Sequence, residues 1–258
     1  MVRLAAISAM AGSLVLAGCI STDFGGDHVR ATVHERIAVV PNAHVSIENV
    51  SGQITVIPWS RSTVDIVAVK HASDPDGLRQ VTVEVTRDRV PASDVEIKTQ
   101  YANHTFSFWR HSGSVDYTIH VPRGVSLRLA NVSGDVQANG IVGDVAADEV
   151  SGDVAILDNG GNVTVHTVSG SIDVSMTTMG SDRRANLEAV SGSIRLAIPR
   201  NSGAVVSAHS ISGGFHSDFP IPTHPQTVGT SAGGSIGNGA GSIDMGTISG
   251  SMTLEKRS

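Results

Sequence analysis

The chain has 258 residues, 28 of them glycine, with 3% aromatic and 16% charged residues and a formal net charge of −6 at pH 7. That mild acidity excludes nucleic acid as a partner, which needs a basic face, and a hydrophobic content of 40% excludes a disordered chain. A single cysteine excludes a disulfide framework and a thiolate metal site.

Met1-Val2-Arg3 and the apolar run over 4–16 read as a secretory signal peptide spanning 1–18. The run is shorter than the ~20 residues that cross a bilayer. Leu16-Ala17-Gly18-Cys19 resembles the lipobox of bacterial lipoproteins, in which small residues precede a cysteine that receives a diacylglyceryl group. Cys19 is then the lipidation site and the first mature residue. Two acyl chains hold a protein stably on a membrane where one does not. Ile20 rather than aspartate follows the cysteine, which points to the outer membrane in a cell that has one.

Residues 19–36 carry Gly25-Gly26 and mixed charge and read as a tether. Over 37–130 apolar residues alternate with polar ones, as in Val45/Ile47, Ile54/Val56, Val95/Ile97 and Val115/Tyr117/Ile119. This is the period of half-buried strands. Ser73-Asp74-Pro75-Asp76-Gly77 and Pro91-Ala92-Ser93-Asp94 read as turns. The reading for this region is an irregular β region and cap, most of whose neighbours are antiparallel or irregular coils, with no amphipathic helix.

From 131 to 258 the pattern becomes periodic. Glycines stand at 134, 143, 152, 161 and 170, nine apart. Two positions beyond each lie Val136, Val145, Val154, Val163 and Ile172, and two further lie Ala138, Ala147, Ile156, Val165 and Val174. A strand, a glycine corner and another strand make a coil with two nine-residue sides. The fold expected is therefore all-β, a single-stranded β-solenoid of about 18 residues per coil. One coil cannot offset its own ordering entropy, so neighbours must share its apolar face. The pentapeptide Val/Ile-Ser-Gly-x-apolar recurs at Ser51, Ser133, Ser151, Ser169, Ser191, Ser212 and Ser249. A proline-rich excursion at 219–230 interrupts the last coils. About five to seven coils at ~4.8 Å each give a body ~25 to 35 Å long.

With the pattern laid out, the chain resembles a bacterial putative-adhesin family of β-solenoid envelope proteins, from about Ala38 onward. The marks are Ile47-Glu48-Asn49-Val50-Ser51-Gly52, Val121-Pro122-Arg123-Gly124-Val125, the serial Val-Ser-Gly-Asp units, Leu196-Ala197-Ile198-Pro199 and the closing Gly241-Ser242-Ile243-Asp244-Met245-Gly246-Thr247-Ile248-Ser249-Gly250. The resemblance implies a solenoid of the cell envelope and brings no catalytic motif.

Two features invite a site. Asp135, Asp144 and Asp153 recur at the nine-residue step, which offers either a carboxylate column for calcium or glycoside chemistry, or turn-forming aspartates; the series fades to Asn162 and Ser171, favouring turns. Tyr101, Phe106, Phe108, Trp109 and Tyr117, five of the nine aromatics, fall within seventeen residues. They form either a candidate binding patch for a glycan or envelope protein or a lid over the open end of the stack. No histidines stand at metal-ligand spacing, His166 and His209 sit on outward strand positions, and neither metal nor other cofactor is expected. The functional expectation is a non-enzymatic envelope lipoprotein, membrane-bound through its anchor, that binds, adheres or scaffolds. The alternatives are a carbohydrate-active β-helix enzyme and an envelope-stress accessory protein.

Overall fold

The computed structural model describes residues 22–24, 29–102, 113–225 and 229–257. The chain opens with β1 (Thr22–Phe24) and the long β2 (Val29–Glu48), then β3 (Ile54–Trp59), β4 (Thr63–Ala72), α1 (Pro75–Gln80), β5 (Val81–Arg87), β6 (Ala92–Tyr101) and β7 (Ser114–Pro122). The regular stack follows as β8 (Ser126–Ser133), β9 (Val136–Asn139), β10 (Val145–Ser151), β11 (Val154–Asn159), β12 (Val163–Ser169), β13 (Ile172–Met176), β14 (Arg184–Ser191) and β15 (Ile194–Pro199). The last part comprises β16 (Ala204–Ser212), β17 (Phe215–Ser217), β18 (Thr223–Pro225), β19 (Thr230–Ile236), β20 (Gly241–Ser249) and β21 (Met252–Arg257).

Even-numbered strands from β8 to β14 pair in parallel along one face and odd-numbered strands from β9 to β15 along the other. Val145 lies beside Leu127 and Val163, and Val154 beside Val136 and Ile172, so each nonad stacks on its equivalent. Both registers of valines, isoleucines and alanines found by period are buried in one core. The fold is the expected β-solenoid.

The two ends depart from chain order. The last coil, β20/β21, does not close the stack. It lies between β14/β15 and β16/β17. The first coil, made of the second half of β2 with β3, likewise lies between β6/β7 and β8/β9. The stack has eight rungs among the described residues, one more than the upper expectation. Antiparallel strands then cover both ends, with β5 on β6 and β4 on β7 at one end and β19 on β16 at the other. Sheet edges would otherwise template other chains.

Two local readings are refined. The region before 131 is mainly antiparallel, with β1 on β2, β2 on β4, β4 on β7 and β5 on β6, and β2, β3, β6 and β7 in addition form parallel rungs of the stack itself. Positions 37 and 131 lie inside β2 and β8. The segment read as a turn at Ser73–Gly77 starts the six-residue helix α1: the Asp74 carboxylate accepts from the Gly77 N–H at 2.7 Å and Pro75 follows the cap, a combination that starts helices.

Candidate functional site

The aspartates of the repeat are engaged in the corners. Asp135 Oδ1 accepts from the Asp153 N–H at 3.0 Å, Asp153 Oδ1 from the Ser171 N–H at 2.7 Å, and Asp144 Oδ1 from the Asn162 N–H at 2.8 Å. Each carboxylate reaches one rung along the stack and satisfies a backbone donor where the chain turns. Among the described residues no group of three His, Cys, Asp or Glu side chains converges on a metal position. We expect Asp153→Asn to keep the melting temperature, since an amide oxygen still accepts, and Asp153→Ala to cost about 1 kcal/mol. Added calcium should shift neither, and thermal melts with and without calcium check both statements.

Of the five clustered aromatics, Tyr101 and Tyr117 lie among the described residues. Tyr117 lies in the core at 1% exposure, its hydroxyl 2.7 Å from Thr99 Oγ1, and burial pushes its pKa up to about 12. This corrects its placement in a binding surface: its parity with Val115 and Ile119 points it inward. Tyr101 is half-buried and donates to the Gly113 carbonyl at 3.0 Å. Phe106, Phe108, Trp109 and Cys19 lie outside the described residues.

The site that the geometry does build was not anticipated. Within the strand Val163–Ser169, Val163, Val165 and Thr167 face inward. Val168, of opposite parity, faces out. The same holds at every Val/Ile-Ser-Gly corner. Val50, Val132, Val150, Val168, Val190, Ile248 and Ile211 are 42% to 56% exposed and stand in register on seven consecutive rungs. They form a straight apolar ridge along one edge of the solenoid.

Beside the ridge runs a groove of about 800 Å³. Its far wall is the row two residues earlier on each strand, which includes Asp148, His166, Glu188 and His209. Arg128 pairs with Asp148 at 3.1 Å and His166 with Glu188 at 3.4 Å. Under the groove lies a column of polar side chains, each at most 5% exposed: Asn49, Asn131, Glu149, Thr167, Thr247 and Ser210. Four of them donate to carbonyls of the corner glycines. Asn49 reaches Gly52, Asn131 reaches Gly52 and Gly134, Thr247 reaches Gly192, and Ser210 reaches Gly250.

Glu149 and Thr167 do not. Glu149 Oε1 accepts from the Ser151 N–H at 3.1 Å, while its Oε2 is buried without a partner, as are Asn131 Oδ1 and Thr167 Oγ1 on the two flanking rungs. Burial raises the pKa of Glu149, against the Ser151 N–H, the Asn131 amide and the Val150 N–H, which lower it. A proton on this carboxyl would let it donate in a column where its neighbours donate.

A straight apolar ridge thus runs along one edge of a two-faced parallel β-solenoid. The chain belongs to the Toastrack DUF4097 family, whose sequence profile matches residues 39–255. Among solved structures it is similar to a putative cell adhesion protein from Clostridium sporogenes, at 11% identity over 88% of this chain and 100% of that one, with a TM-score of 0.49. It is also similar to putative adhesins from Bacteroides fragilis, at 13% identity and a TM-score of 0.31, and from Parabacteroides distasonis, at 12% and 0.27. Each covers 88% of this chain and 97% of its own. No curated protein matches the chain.

Proposed function

We propose that the protein is a non-enzymatic lipoprotein of the cell envelope, anchored through diacylglycerol on Cys19 in the outer membrane, whose solenoid presents the Val/Ile ridge as its binding face. The observation that carries the reading is the ridge itself. Seven half-exposed Val and Ile side chains in one line make a contiguous apolar patch of the size that marks interaction surfaces on soluble proteins. The repeat aspartates do not favour a glycosidase, because their carboxylates are taken up by corner N–H groups. The partner on this reading is another envelope protein, and the ridge supplies area while the charged far wall supplies orientation.

The test uses the full chain in its own membranes. Cys19→Ser should move the protein from the membrane to the soluble fraction. The triple variant Val150→Thr, Val168→Thr, Val190→Thr keeps β-branched side chains of nearly the same shape and should remain folded and anchored. It should lose at least tenfold of the protein captured by cross-linking. Undiminished capture by the triple variant would overturn the reading of the ridge, and retention of the serine variant in the membrane would overturn the anchor.

A further inference from the structure

We propose that the ridge takes a second copy of this chain, in antiparallel register about a two-fold axis at Val168. The inference rests on the ridge being a binding face and names its occupant. Three observations carry it.

The first is pitch. Successive ridge residues are one rung apart, about 4.8 Å in a stack of strands. A rigid row with this spacing meets few surfaces of matching period, and an identical row matches it over its whole length. The second is area. At the exposures given above the ridge offers roughly 500 Å² per copy, so pairing would remove about 1,000 Å² in total, the threshold for a specific interface.

The third is the flanking row, which reads nearly the same from either end. Its members are in register on the same seven rungs. Under a two-fold axis at the middle rung, Ala130 meets Gly246, two small residues, and His166 meets its own copy. Glu48 meets His209 at the ends, an acid against a base. Asp148 meets Glu188, and each is paired within its own copy, to Arg128 and His166 respectively. An isologous contact requires this kind of self-complementarity, with residue i facing j and j facing i. A parallel pairing, about an axis along the solenoid, would set the two flanking rows on opposite sides of the ridge, where they do not meet.

Cysteine scanning of the detergent-solubilised full chain with a short bismaleimide tests the register. Val168→Cys should give a covalent dimer, because only the rung on the axis meets itself. Val50→Cys alone should stay monomeric, and an equimolar mixture of Val50→Cys with Ile211→Cys should cross-link. Combining the triple threonine variant with the paired cysteines should reduce the product at least tenfold. Absence of a Val168→Cys dimer above the wild-type background would overturn self-pairing, and self-cross-linking of Val50→Cys would overturn the antiparallel register. If the triple variant loses envelope capture while Val168→Cys stays monomeric, the ridge remains a binding face and its partner is not this chain.

Discussion

Gly170→Ala is expected to cost more than about 4 kcal/mol and to leave little folded protein at 37 °C. Gly170 has φ +148°, and a Cβ built on it would stand 1.9 Å from the carbonyl oxygen of Gly152 on the rung below. That oxygen belongs to backbone and cannot swing aside. Relief would require opening the corner, where the Gly170 N–H donates to the Ser191 carbonyl at 3.0 Å. The same collision recurs at Gly192 on Gly170 and at Gly250 on Gly192, so one displaced corner pushes on the next and the cost is not confined to one residue. Gly180→Ala is the control, since a Cβ there meets nothing within 4 Å, and its effect should stay within about 0.5 kcal/mol. Thermal and denaturant melts of the two variants against wild type check the contrast. Equal melting temperatures for both would show that the stack tolerates a wider corner than its geometry allows.

Glu149→Gln should stabilise the protein at pH 8 by about 1 to 3 kcal/mol, the usual cost of a buried polar group without a partner, and raise the melting temperature by roughly 2 to 4 °C per kcal/mol for a domain of this size. Burial raises the native pKa of Glu149 above its ordinary value of 4.5. The folded state therefore binds more protons than the unfolded state between the two values, and stability falls as pH rises through that window. Below the ordinary carboxyl range both states are protonated and the penalty vanishes. The glutamine amide carries the donor that the carboxylate lacks, so the difference between variant and wild type should be near zero at pH 4, grow with rising pH and then level off. A difference that does not change with pH would mean that Glu149 titrates like an exposed carboxylate.

The period of nine disclosed the fold because glycine and the two inward registers are dictated by stacking. A corner admits no Cβ, and an interior position such as Val145 or Val154 admits no polar group without a partner. The apolar ridge was legible too, through parity. In Val163–Ser169 the count from Val165 to Val168 is three, which places an apolar residue on the outward side and leaves Thr167 inside. The inversion passes unnoticed when Val-Ser-Gly is read as one corner motif. Rung order at the ends was not legible. The Ser-Gly corners at Ser212 and Ser249 carry equivalent signals, and which of them neighbours Ser191 depends on β18 and β19 occupying the outer side of β16. The buried column escaped for another reason: Asn49, Asn131, Thr247 and Ser210 are ordinary surface residue types, and only their inward position beside a glycine carbonyl gives them a role.

The interleaved ends have a consequence for how the molecule is assembled. Residues 241–257 enter a slot between two rungs that precede them in the chain, so a polypeptide emerging from its N-terminus cannot finish the body by adding layers in order. The β16/β17 rung must wait, or be held one layer away, until the last segment is delivered. A product cut short at residue 240 would leave two facing rows of unpaired amides where the missing layer belongs. A stack that looks extendable by simple repetition is thus complete only when its last two strands are in place.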